Sequence, residues 1–290
     1  MYFIKQYKFL LVVNISLLVI LTSLVSRNIH EKQREILAIK EAVVPEFVVP
    51  EEQQVQAKPI EPHTEDEQKI PIFVYHSVRP HEQKESRFQD LYDITPELFE
   101  QQLMYLRDNG YHVITTKDIF VDTKTGKVVT HVNKPVMLTF DDGWKNQYQY
   151  AYPLLKKYHD SAVFYVYTST IGDPAFLTWD YVKEMRDGGM VIGSHTLTHP
   201  HLKRISDDML KKEIFDSKKI LEEKLGVTID DFATPYGYSD DRIVSMIKEA
   251  GYRTSRTLYK GSYHKDMFTL KGYLARDDFK DFVAVLKSKD

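Results

Sequence analysis

The sequence predicts an α/β protein, a parallel sheet or barrel in which short apolar strands alternate with amphipathic helices. Three observations predict it. The runs Ile72-Phe73-Val74-Tyr75, Val136-Met137-Leu138-Thr139-Phe140, Ala162-Val163-Phe164-Tyr165-Val166-Tyr167 and Met190-Val191-Ile192 read as strands buried on both faces. Segments with capping residues and helical apolar spacing lie between them, so strand and helix alternate along the chain. Finally, three of the strands end in residues a core has no use for: His76, Asp141-Asp142-Gly143, and Gly193-Ser194-His195. In such sheets the C-terminal ends of the strands are where ligands bind.

Taken in order, Lys5 and Lys8 precede an apolar run over 9–25 broken only by Asn14, Ser16, Thr22 and Ser23. It is near the lower length for a membrane-spanning helix and longer than a usual signal-peptide core. A cleavage site at Ser26 would need a small residue where Leu24 stands, so residues 1–26 are read as an uncleaved signal anchor, with a cleaved signal peptide as the alternative. Arg27, Lys32 and Arg34 beyond the run work against the orientation signal, but either outcome exports the rest of the chain. Residues 27–69 read as a stalk: a helix-forming stretch over 31–42, then Pro45, Pro50, Pro59 and Pro62 among Glu and Gln. The domain proper spans 70–290.

Within it, Thr95 caps a helix that begins at Pro96 and turns Leu98, Phe99, Leu103 and Leu106 inward, and Asn109-Gly110 ends it. Tyr111-His112-Val113-Ile114 is the next strand, with His112 structural. Helices follow over 148–158, Trp179–Asp187 (stopped by Gly188-Gly189), Asp207–Leu225 (stopped by Gly226) and 240–250 (stopped by Gly251). Phe232-Ala233-Thr234 is a further strand, and Arg253-Thr254-Ser255 and Thr269-Leu270 are the last ones.

Of the 290 residues 42% are hydrophobic and 28% charged, enough to bury a full-sized core. The net charge of -3 argues against a nucleic-acid partner, and the absence of cysteine excludes disulfides and thiolate metal sites. Two adjacent carboxylates repel, so Asp141 and Asp142 require a cation, a shared proton or open water. His195 and His199 stand at i and i+4, which places both rings on one face of a helical turn. Two imidazoles and one carboxylate make a three-ligand site of the kind that holds zinc, with cobalt and nickel also suited.

Thr139-Phe140-Asp141-Asp142-Gly143 and Ser194-His195-Thr196-Leu197-Thr198-His199 resemble the first two motifs of the polysaccharide deacetylases, carbohydrate esterase family four, also called the NodB-homology domain. Pro71-Ile72-Phe73-Val74-Tyr75-His76 resembles the opening strand of the branch that acts on the poly-N-acetylglucosamine of biofilms, and Phe232-Ala233-Thr234-Pro235-Tyr236-Gly237 resembles the third motif. The resemblance implies an irregular (β/α) barrel of seven strands. It also implies a metal-dependent hydrolase that removes N-acetyl groups from an extracytoplasmic N-acetylglucosamine polymer, either biofilm polysaccharide or peptidoglycan. Asp142, His195 and His199 would hold the metal, Asp141 would be the general base, and Pro235 and the backbone N–H of Tyr236 would bind substrate. Trp179 and Asp180 are read either as capping and packing residues or as a wall of the sugar cleft.

Two departures stand out. Ala233 occupies the place of an arginine that orients the base, and Leu274-Ala275-Arg276 replaces a Leu-x-His that supplies the acid. His76 is therefore the expected acid, with His264 and His201 as alternatives. The same departures favour an alternative function, a membrane-tethered polysaccharide-binding module with weak or no catalysis; a structural envelope protein is the third reading. The expected location is extracytoplasmic and membrane-anchored, or secreted if the N-terminal segment is cleaved, with a polysaccharide synthase or export complex as a possible partner.

Overall fold

The computed structural model describes residues 68–81 and 92–288. The expected anchor over 1–26 and most of the stalk lie outside the described residues; among the described residues no helix is long and apolar enough to cross a membrane.

In chain order the elements are β1 (Ile72–Tyr75), β2 (Ser77–Val78), β3 (Asp93–Ile94), α1 (Pro96–Asp108), β4 (His112–Ile114), β5 (Ile119–Val121), β6 (Val128–Thr130), β7 (Pro135–Phe140), α2 (Tyr152–Tyr158) and β8 (Val163–Val166). They continue with α3 (Trp179–Asp187), β9 (Val191–Ser194), α4 (Asp207–Leu225), β10 (Asp231–Ala233), α5 (Asp241–Glu249), β11 (Thr254–Arg256), β12 (Tyr273–Leu274) and α6 (Phe279–Lys287). Seven parallel strands lie in the order β11, β10, β9, β8, β7, β1, β12, and β4 pairs with the first half of β7.

The sheet is strongly curled. Strands lie about 4.8 Å apart, so in a flat sheet β7 and β11 would be separated by roughly 19 Å. Instead Arg256 of β11 reaches the carboxylate that follows β7, at 2.5 Å. The segment from Leu270 to Leu274 draws the two edges together: Leu270 bridges to Arg256, while Tyr273 and Leu274 pair with Phe73 and Val74 of β1. This gives the parallel α/β sheet that the strand and helix pattern predicts, curled into a half-barrel of seven parallel strands that is consistent with the (β/α) barrel implied by the family resemblance.

Although the strands read as unbroken apolar runs, their side chains alternate between two cores. Val136, Leu138 and Phe140 of β7 and Phe164 and Val166 of β8 point to the helices. Met137, Val163 and Tyr165 point to the barrel interior with Ile70, Ile72 and Leu270.

Helix bounds follow the capping residues. Thr95 and Thr178 accept from the third residue on, Ser206 does the same for α4 and Asp240 for α5, each satisfying an orphan N–H. Five features differ from expectation. The helix expected over 148–158 begins as a π-turn, Gln147–Ala151, before α2. Thr269-Leu270 forms only the single bridge to Arg256, and the final strand is β12. The antiparallel hairpin of β5 and β6 was not anticipated, nor was α6, which Asp278 caps. Finally, His195 and His199 do not share a helical turn: the segment between them is irregular, and Thr196 (φ 74°) and His199 (φ 59°) are left-handed.

Candidate active site

The strands deliver their polar ends to a cavity of about 710 Å³, lined among others by His76, Asp141, Asp142, Trp144, His195, His199, Tyr236 and Tyr238. After β7 the chain turns sharply: Asp142 and Gly143 are both left-handed (φ 73° and 78°). A Cβ on Gly143 would meet Val166 Cγ1 at 3.0 Å, so the turn is built for glycine. The turn sends the two neighbouring carboxylates to different partners, which resolves their repulsion.

Asp141 is buried and faces the barrel interior, where the Nη2 of the buried Arg256 donates to Oδ1 at 2.5 Å and also to Oδ2. Burial alone would raise the Asp141 carboxyl; Arg256, with His195 and His76, more than offsets it and holds the group below the usual carboxylate range. His76 Nε2 stands 4.0 Å from Asp141 Oδ2, with its ring against Tyr92. Gln147, the first residue of the π-turn and fully buried, donates through Nε2 to the carbonyls of His76 at 2.6 Å and Asp141 at 2.5 Å. It thereby clamps the ends of β1 and β7 together. Irregular π-turns of this kind cluster at functional sites.

Asp142 faces the other way. Trp144 Nε1 donates to its Oδ2 at 3.0 Å, which leaves Oδ1 toward His195 Nε2 at 3.6 Å and His199 Nε2 at 3.5 Å. One ligand atom from each of these three residues lies within 4.8 Å of the others. The ring nitrogen assignment follows from the neighbour: His195 Nδ1 is 2.8 Å from the Ala233 carbonyl, which can only accept, so Nδ1 carries the proton and Nε2 presents a lone pair. Burial pushes His195 down to about 4, against the pull of Asp141 and Asp142, so the ring is neutral at pH 7. A neutral imidazole lone pair aimed at a carboxylate oxygen is repulsive unless a cation lies between them. The donor set therefore fits a divalent metal, with the orienting carbonyl that such histidines ordinarily have.

The remaining predicted residues divide. Tyr236 lines the cavity in a left-handed conformation (φ 60°) between buried Pro235 and Gly237. A Cβ on Gly237 would fall 2.2 Å from Leu258 Cβ, so the turn cannot accept a side chain there. Trp179 and Asp180 do not line the cavity. Trp179 starts α3, packs on the helix-side core and carries the Lys224 ammonium over its ring, and Asp180 is an exposed first-turn acid. Neither residue caps α3, whose cap is Thr178; Trp179 packs against the core, and the aromatic residues that line the cavity are Tyr92, Trp144, Tyr236 and Tyr238. His264 is a structural histidine: Nε2 bonds the Ile70 carbonyl at 2.8 Å and Nδ1 accepts from Lys271 N at 3.1 Å. His201 is stacked between Tyr236 and Tyr238. Among the described histidines only His76 and His195 come within 4.0 Å of an Asp141 oxygen.

The family model described as polysaccharide deacetylase matches residues 129–255. YxkH of Bacillus subtilis, named for the same family, is 30% identical over 207 residues, covering 70% of this chain and 69% of the relative. The chain belongs to the polysaccharide deacetylase family. It is a hydrolase of the de-N-acetylase class. A poly-beta-1,6-N-acetyl-D-glucosamine N-deacetylase of Staphylococcus aureus is 27% identical over 179 residues, 56% of this chain and 60% of that protein, so the alignment spans less than two thirds of it. A Streptococcus pyogenes deacetylase solved in complex with acetate superposes with a TM-score of 0.68 at 27% identity, covering 77% of this chain and 100% of that one.

Two residues of this deacetylase site escaped the sequence reading. Arg256 lies one residue beyond the matched stretch and takes the part of the arginine sought at Ala233. Its signal was an arginine at the C-terminal end of the strand Thr254–Arg256, the same kind of place as His76 and Asp141. Gln147 had no local signal, because its role depends on two carbonyls 71 and 6 residues away in the chain.

Proposed function

We propose that this deacetylase removes N-acetyl groups from an extracytoplasmic polymer of N-acetylglucosamine, of the biofilm type or in peptidoglycan, as a metal-dependent enzyme. The observation that carries the reading is the pairing of two differently tuned carboxylates: Asp142 facing His195 and His199, and Asp141 held ionised by Arg256. The Staphylococcus aureus relative supports the biofilm polymer among the two.

Asp142, His195 and His199 would hold the metal, zinc, cobalt or nickel. When bound, it supplies Lewis acidity that polarises an acetamide carbonyl and acidifies water. Asp141 accepts the proton of the attacking water; because Arg256 keeps it ionised, it is in its basic form throughout the working range. The backbone N–H of Tyr236 donates to the developing oxyanion, and the left-handed turn at Pro235–Gly237 fixes its direction. His76, poised 4.0 Å from Asp141, protonates the departing amine. Tyr236 and Tyr238, both half exposed on the cavity rim, present aromatic surface to the sugar chain. Residues 1–26 would anchor the enzyme outside the cytoplasm on the stalk over 27–69, ahead of the catalytic domain 70–290.

Acetate release from N-acetylglucosamine oligomers tests the reading, using the full chain with zinc, with chelator, and as Asp141→Asn. Release that needs both metal and Asp141 is expected. No release from either poly-N-acetylglucosamine or peptidoglycan fragments, with metal bound, would instead favour a binding module.

A further inference from the structure

α4 turns a buried stripe of Leu210, Glu213, Ile214, Ser217, Leu221 and Leu225 toward the sheet. A glutamate in such a stripe is unfavourable unless its oxygens are hydrogen-bonded. Glu213 is 2% exposed, and its partners all belong to the loop that carries the two histidines. Oε2 accepts from the N–H of Leu197 at 2.9 Å and of Thr198 at 2.8 Å, and Oε1 accepts from the Thr198 hydroxyl at 2.6 Å. One helical turn further, Ser217 Oγ accepts from Ser194 Oγ at 2.8 Å, and Ser194 Oγ in turn accepts from Thr196 N at 3.2 Å.

These contacts fall on the part of the loop that most needs them. Leu197 and Thr198 lie between Thr196 and His199, the two left-handed non-glycine residues that replace the expected helical turn. Such residues persist only where their surroundings over-determine them. Glu213 gathers the N–H groups of the two intervening residues on one carboxylate oxygen, which fixes the distance between His195 and His199, whose ring centroids stand 4.8 Å apart. It hydrogen-bonds neither histidine ring and does not line the cavity, so it acts on them through Leu197 and Thr198.

We propose that Glu213 is a positioning residue that holds the histidine loop in the shape needed to bind the metal. The proposal rests on the metal reading of Asp142, His195 and His199. Zinc affinity of the full chain, measured by competition with a chromogenic chelator, is compared for wild type, Glu213→Gln and Glu213→Ala, together with each melting temperature with and without zinc. Loss of the carboxylate is expected to weaken zinc binding 10–100-fold in Glu213→Ala, the range for groups that orient metal ligands. Glu213→Gln, which keeps the shape and one acceptor oxygen, should fall between, and it decides the matter if Glu213→Ala does not fold. The zinc-induced rise in melting temperature should shrink in the same order. A merely structural glutamate would lower the metal-free melting temperature while leaving zinc affinity within twofold of wild type, and that result overturns the proposal. A wild-type chain that binds no zinc overturns the metal reading itself, and this role with it.

Discussion

Replacing Arg256 by methionine should move the acid limb of the enzyme's pH profile upward. In the native protein the guanidinium is 1% exposed and the carboxylate it serves 2% exposed, so solvent cannot take over when the arginine is removed. Removing one member of a buried ion pair costs about 3 kcal/mol when the other must stay charged, a factor of about a hundred in the balance between ionised and protonated Asp141. The sign follows from the native arrangement. Asp141 is held below the usual carboxylate range, so wild type keeps its base at mildly acidic pH. Without Arg256, burial is opposed only by His195 and His76, and the base takes up its proton at a higher pH. The assay is acetate release from N-acetylglucosamine oligomers between pH 5 and 9. At pH 5 Arg256→Met should lose activity several-fold relative to pH 9 while wild type does not, and Arg256→Lys, which keeps the charge but not the planar fork, should lie between it and wild type. An Arg256→Met profile that superimposes on wild type, in a folded protein, would refute the assignment of Arg256 as the partner that keeps the base ionised.

Gln147→Ala removes two donors from the buried carbonyls of His76 and Asp141 and should cost about 2 kcal/mol of stability, read from urea midpoints, with a fall in kcat as the two strand ends lose their clamp. His76→Ala should lower kcat for amide substrates far more than for aryl acetates, whose leaving groups need no proton; equal losses on both would point to a structural role. His264 carries a pH prediction: burial lowers it to about 4 in the folded protein against 6.5 in the unfolded chain, so the unfolded state binds the proton first as pH falls. Its contribution is complete above pH 6.5, about 2 kcal/mol should be lost by pH 5, and His264→Gln should flatten the dependence between pH 7 and 5. Tyr238→Ala should raise KM for oligomers several-fold with kcat nearly unchanged, the loss of about 1 kcal/mol of aromatic contact at the cavity rim.

Most of the architecture was legible because it is written in local patterns. The helices expected from 179, 207 and 240 begin within one residue of expectation, the apolar run at 72–75 is a strand as read, and the run at 162–167 is a strand over its central four residues. The metal candidates were legible because strand ends converge in a parallel barrel whatever their distance in sequence. What stayed hidden depends on tertiary geometry. His195 and His199 were paired by helical spacing, and they do meet, but through two strained residues held by Glu213 rather than by a helix. Arg256 was invisible as a partner because only the curl of the sheet brings it under Asp141. Trp179 was an attractive sugar platform by residue type alone; its place at the start of α3, against the core, directs it elsewhere.

The seam between β1 and β12 has a consequence for how the protein acquires activity. Phe73 pairs with Tyr273, 200 residues later, whereas Val163 pairs with Val191 after 28. Closing the longer loop costs about 2 kcal/mol more chain entropy, which places the seam late in folding. Until it forms, β1 keeps an open edge able to recruit another chain, and Leu270 is not yet docked on Arg256. A refolding chain should therefore regain its far-ultraviolet signal before its deacetylase activity, because the strand that carries the arginine is fastened by the last piece of the barrel to arrive.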